Sequence, residues 1–193
     1  GGCGGRWPTG RDGMIILGID PGSRITGFGC VNDHGGGIGP RGVSLIEAGV
    51  IRLPASATLA ARLVELHADV AALIARHTPA LIAVEAIFTH ADRPASVIIM
   101  GHARGVILLA CAQSGVPVIE VRPAEVKKAI TGNGQASKQQ VQRSVMRELG
   151  LSSPLRPLDA TDALAIALCA ARRRATATLA RPPRPAGNAK LRG

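Results

Sequence analysis

Two apolar runs in this chain each end on a single carboxylate. MIILGI, residues 14–19, is followed by Asp20, and LIAV, residues 81–84, by Glu85. Neither run alternates apolar with polar residues, so each reads as an interior strand covered on both faces. That pattern requires an open α/β sheet with a helical layer on either side. It also places both acids at strand ends, facing the crevice where such sheets bind ligands. A carboxylate there needs a partner, because burying an unpaired charge is costly.

The remaining periodicity completes the sheet. ITGFGCVN (25–32) and VSLIEAGVIRL (43–53) read as two strands joined by the glycine-rich DHGGGIGPRG, and with the first strand they form an antiparallel unit. Thr58 to His77 repeats apolar residues at helical spacing behind a Thr suited to capping. ALIAVEAIF is the fourth strand and VPVIEV (116–121) the fifth. Helices are expected from about Pro94 to Ser114, over 123–130 and 137–149, and from Leu158 to about Arg172. The order β-β-β-α-β-α-β-α-α-α implies one α/β domain over 14–172, built on a five-stranded mixed sheet with helices on both faces.

Charge is unevenly spread. Residues 14–172 hold 15 Lys/Arg against 12 Asp/Glu, while 173–193 add six basic residues and no acid. That Pro/Arg-rich stretch is expected to be disordered and to add sequence-independent attraction to phosphates, or merely solubility. Residues 1–13 are expected to be an unstructured extension or cloning remnant. No contiguous apolar run approaches the roughly 18 residues of a membrane span, which leads to the expectation of a soluble intracellular protein. Cys3, Cys30, Cys111 and Cys169 form no CxxC pair, so neither a disulfide framework nor a zinc site is expected. His34, His67, His77 and His90 have no ligand spacing and read as surface residues.

Two further acids, Asp159 and Asp162, are spaced i, i+3 in the first turn of the last helix and share a face. Taken singly, Asp20 before Pro-Gly can be a turn former and Asp159 a helix cap. Glu85 has no turn residue beside it. Four acids converging without a counterion would repel, and one or more would hold a proton. Oxygen ligands without a Cys or His cluster suit a hard divalent cation, Mg²⁺ or Mn²⁺, which also accepts phosphate oxygens.

GIDPGSRITGFG, VEAIF, GHARG, VKKAITGNGQASKQQVQ and DATDALAIAL, in this order over residues 14–172, resemble the RuvC family of bacterial Holliday-junction resolvases in the ribonuclease H-like superfamily. The resemblance places the family's catalytic, metal-holding acids on Asp20, Glu85, Asp159 and Asp162. It implies two Mg²⁺ ions, replaceable by Mn²⁺, and phosphodiester hydrolysis leaving 5′-phosphate and 3′-hydroxyl ends. Asp20 would bridge the ions, with Glu85 on one and Asp159 and Asp162 on the other or its water. Lys127 and Lys138 match lysines that contact phosphate near the scissile bond. Phe88 matches an aromatic that stacks on an unpaired base, its alternative being a core residue. Lys128, Arg93 and Arg143 read as solvated charges. Gly22 and Gly27 would let backbone approach the bound strand.

The resemblance also implies four-way junction DNA as substrate, a homodimer with a site for each of two equivalent strands, a bacterial cytoplasmic location, no membrane, and RuvA and RuvB as the partner complex. One block departs from the family: DRPASVIIMGHARG is more apolar than its relatives at the start of the second long helix. A drier subunit contact follows, with His102 at the interface or buried. An actin-like ATPase or sugar kinase shares the GIDPG strand-turn but needs a second domain. A YqgF-like nuclease lacks the VKKAITGNGQASKQQVQ block, and a non-catalytic junction binder would be expected to have lost an acid.

Overall fold

The computed structural model describes residues 13–35, 42–87, 94–153 and 155–179. Phe88, His90, Arg93 and the basic stretch from 180 onward lie outside the described residues, as do residues 1–12.

Strands β1 (Met14–Asp20), β2 (Ile25–Asp33) and β3 (Val43–Arg52) form the expected antiparallel unit. Helix α1 (Leu59–His77) starts on Thr58, whose Oγ1 accepts the Ala61 amide at 3.2 Å. Strand β4 (Leu81–Glu85) then runs parallel to β1, and after α2 (Pro94–Gln113) comes β5 (Val118–Val121), parallel to β4. Helices α3 (Pro123–Thr131), α4 (Lys138–Leu149) and α5 (Leu158–Leu179) complete the described elements. The sheet order is β3-β2-β1-β4-β5, so the two strands that end in acids are both interior.

Alternation along the strands divides the core in two. Leu17, Ile19, Ile82 and Val84 point to one face and meet Leu66 and Val70 of α1 and Ile107 and Cys111 of α2. Ile16, Leu81 and Ala83 point to the other and meet Val126 of α3, Val145 of α4 and Leu164, Ile166 and Leu168 of α5. The buried Cys30, Cys111 and Cys169 behave as small hydrophobes, their thiols pushed up by burial to about 11, 11 and 12.

Helix α5 crosses β1 and β2 at very short range because the sheet offers no side chains there. Gly18 and Gly29 are cross-strand partners. A Cβ on Gly18 would stand 2.6 Å from the Ala167 amide nitrogen, and one on Gly29 2.8 Å from that of Leu164. A Cβ on Gly27 would collide with the Asp159 carbonyl, and one on Gly22 with the Ile25 carbonyl. This corrects the expected role of Gly22 and Gly27, whose missing side chains make room for the chain's own backbone.

Two other expectations change. The last helix continues to Leu179 instead of ending near Arg172, so part of the expected disordered tail is helical. Tertiary partners account for the extension: Arg172 pairs with the buried Glu148 at 2.7 Å, Arg173 with Glu125 at 3.7 Å, and Arg174 with the buried Asp33 at 2.7 Å. In addition, Ser96–Gln113 of α2 is 18 residues long with mean hydropathy 1.5, enough by length and composition to cross a membrane. Counting contiguous apolar residues missed it because Gly101, His102 and Arg104 interrupt the run. Only 22% of that window is buried within the chain.

Candidate active site

The register of β1 and β4 dictates the centre of the site. Ile19 is the partner of Val84, so Asp20 and Glu85 are the next residues on adjacent parallel strands. They open into a cleft of about 300 Å³ that is also lined by Lys127 of α3, Lys138 of α4 and Asp162 of α5. Five polar groups distant in sequence thus meet where the strands end, the two strand-end acids among them as the periodicity required. A larger groove of about 490 Å³, between the C-terminal ends of α1 and α2, is lined by no charged side chain and carries no comparable chemistry.

Burial comes first among the causes that push Asp20 up to about 8, followed by the charges of Glu85 and Asp162. Burial raises Glu85 as well, while its hydrogen bond with Asp20 acts the other way. Both carboxyls are thus raised, and the pair titrates as one coupled unit. Lys138 Nζ lies 3.1 Å from Asp162 Oδ2, and that contact raises the lysine. Its position follows from α4's start: Ser137 caps the helix in a reciprocal capping box with Gln140, which fixes Lys138 as the first helical residue beside the cleft.

Asp159 does not line the cleft. It stands on the preceding turn of α5, near enough for its charge to act on Lys138. The i, i+3 spacing puts it about 60° around the helix and one turn away from Asp162, hence at the rim. Among the described residues no three carboxylates are drawn up as ligands around one point. The donor set still fits a hard divalent cation. It is all oxygen, it contains a carboxyl that burial and the neighbouring carboxylates push up to about 8, and a lysine ammonium already occupies its edge. Phe88 lies outside the described residues, and Lys128 and Arg143 are exposed, as read from the sequence.

One contributor was not singled out from the sequence. Arg104 of α2 donates from Nε to the Glu85 carbonyl at 3.3 Å and pairs with Glu120 at 2.6 Å. Its only signal is a lone charge in an apolar helix.

Comparison with known proteins decides the family. A family model described as crossover junction endodeoxyribonuclease RuvC matches residues 16–170. The chain belongs to the RuvC family. RuvC of Rhodopirellula baltica is 49% identical over 154 residues, covering 80% of this chain and 84% of its own length. RuvC of Halorhodospira halophila is 47% identical over 160 residues, covering 82% and 90%. Thermus thermophilus RuvC, solved in complex with Holliday junction substrate, superposes with a TM-score of 0.76 at 33% identity over 86% of this chain and 97% of that one. The fold is accordingly ribonuclease H-like, and RuvC nucleases are metal-dependent as a family.

Proposed function

We propose that this chain resolves Holliday junctions in DNA recombination and repair, as a structure-selective endonuclease that cuts two equivalent strands symmetrically. The observation that carries this reading is the meeting of Asp20, Glu85 and Asp162 with Lys127 and Lys138 in one cleft of a RuvC-family chain. Two Mg²⁺ ions, for which Mn²⁺ substitutes, supply charge neutralisation and polarisation at the scissile phosphate when bound. Asp20, Glu85 and Asp162 hold them, and Asp159 completes the oxygen set from the rim. A bound cation would favour the ionised Asp20 carboxylate, offsetting the burial and the neighbouring charges that otherwise raise it. Lys127 and Lys138 bind the phosphate flanking the cut and offset charge that develops during displacement. Hydrolysis leaves 5′-phosphate and 3′-hydroxyl ends. Phe88 stacks on a base at the junction centre.

A second copy of the chain belongs on α2. Ile98, Gly101, His102, Gly105 and Leu109 lie on one exposed stripe, with Ile98 61% and Leu109 52% exposed. The buried Ala103, Ile107 and Cys111 occupy the opposite side. A helix apolar on both sides calls for a cover on its outer face. A C₂ pairing there places one cleft on each of two junction strands. His102 then sits at the subunit contact, away from the acids. The RuvA and RuvB branch-migration complex is the partner, in the bacterial cytoplasm.

The test incubates labelled four-way junction, linear duplex and RNA duplex with protein, with and without Mg²⁺. Paired nicks in the junction alone, dependent on Mg²⁺, are expected. Asp20→Asn abolishes cutting and leaves junction binding intact, since it removes an ion ligand and no phosphate contact. Failure of a folded Asp20→Asn protein to bind the junction would refute the assignment.

A further inference from the structure

We infer that Arg104 is a positioning residue for cleavage, holding the Glu85–Ala86 peptide and thereby aiming the Glu85 carboxylate into the cleft. The inference rests on the reading of that cleft as a nuclease site.

Arg104 is the only Lys, Arg, Asp or Glu in α2, and its side chain is 19% exposed. It points from an apolar helix toward the end of β4. The Nε group donates to the Glu85 carbonyl at 3.3 Å, and the adjacent Nη2 meets Glu120 Oε2 on β5 at 2.6 Å. At the other end of the same peptide, the Ala86 amide donates to the Val121 carbonyl at 2.9 Å. The peptide that follows Glu85 is therefore held at both its carbonyl and its N–H. The orientation of this plane is the ψ angle of Glu85, so holding it limits where the carboxylate can point. This matters because β4 ends at Glu85. Arginine suits the task better than lysine, since its planar fork presents two donors in fixed relation. Arg104 does not line the cleft, so its influence is on the placement of Glu85 and not on contact with the cut strand.

The experiment compares wild type, Arg104→Ala, Arg104→Lys, Glu120→Ala and Asp20→Asn. It reads single-turnover cleavage of a labelled four-way junction in Mg²⁺, junction Kd in EDTA, and amide exchange at Ala86. Misplacement of a reacting group by about 1 Å costs on the order of 100-fold. For Arg104→Ala, cleavage is accordingly expected to fall by about 10- to 100-fold, with Kd within about twofold and faster exchange at Ala86. Arg104→Lys restores part of the rate, and Glu120→Ala lowers it less than Arg104→Ala. Wild-type cleavage by Arg104→Ala overturns the inference, as does a rate that falls only in step with Kd and is not rescued by lysine. Should Arg104→Ala not fold, wild-type rates in both Arg104→Lys and Glu120→Ala overturn it. A wild-type protein that leaves the junction intact defeats the nuclease reading and this inference together, whereas a cutting wild type with an unaffected Arg104→Ala defeats the inference alone.

Discussion

Asp20 couples stability to pH in an unusual direction. Its native value of about 8 lies above the ordinary 3.8, so between those limits the metal-free native state holds a proton that the unfolded chain has released. Stability is then greatest below pH 4 as far as this group is concerned and declines as pH rises toward 8. Metal-free wild type should melt at progressively lower temperature from pH 5 to 8, and Asp20→Asn should flatten the decline. Mg²⁺ should raise the melting temperature most at the alkaline end, where no proton has to leave. A wild-type melting curve that is flat over this range, measured by calorimetry in EDTA, would show that Asp20 ionises without penalty. That Asp20 and Glu85 open into one cleft was legible because each ends an apolar run. Their standing side by side on adjacent strands was not, since it depends on the register of β1 against β4.

At the scale of elements, α5 is held by two devices that leave little trace in its own sequence. One is the glycine surface of β1 and β2. Gly29→Ala forces its methyl against the Leu164 backbone and should cost roughly 1–3 kcal/mol, read from urea unfolding. Because α5 carries Asp159 and Asp162, the same substitution should lower cleavage beyond its effect on folding. The other device is the set of acids facing its basic end. A chain ending at Arg172 lacks the pairs of Arg173 and Arg174 and leaves Asp33, only 5% exposed, without the Arg174 pair. It should be destabilised by about 1–3 kcal/mol relative to one ending at Leu179. Equal stability of the two would mean that the arginines are solvated. Read as sequence, RRRATATL looks like the start of a tail, because the acids that hold it lie on β2, α3 and α4.

For the whole molecule, the stripe on α2 and the charge of the C-terminal stretch give separable expectations. Leu109→Glu, on the exposed side of α2, should yield a monomer in sedimentation velocity and replace paired cuts by single nicks; a dimeric Leu109→Glu protein would place the contact elsewhere. Removing residues 180–193 removes Arg181, Arg184, Lys190 and Arg192. Junction affinity should weaken at low salt, with the slope of log K against log salt reduced by about 0.9 for each phosphate that the shortened chain no longer neutralises. Preference for junction over linear duplex should be unchanged, and a fall in that preference would give the segment a role beyond electrostatics.

The sequence by itself determined the order of elements, the antiparallel start of the sheet, the burial of β1 and β4 and the acids at their ends. Each of these is a matter of local periodicity or of a charge that apolar neighbours make conspicuous. Only the tertiary structure decided that Asp162 lines the cleft while Asp159 stands at its rim, that the glycines serve α5, that the helix reaches Leu179, and that Arg104 grips the end of β4. Those outcomes depend on distances between segments far apart in the chain, and such distances are fixed by packing and register, which no local pattern encodes.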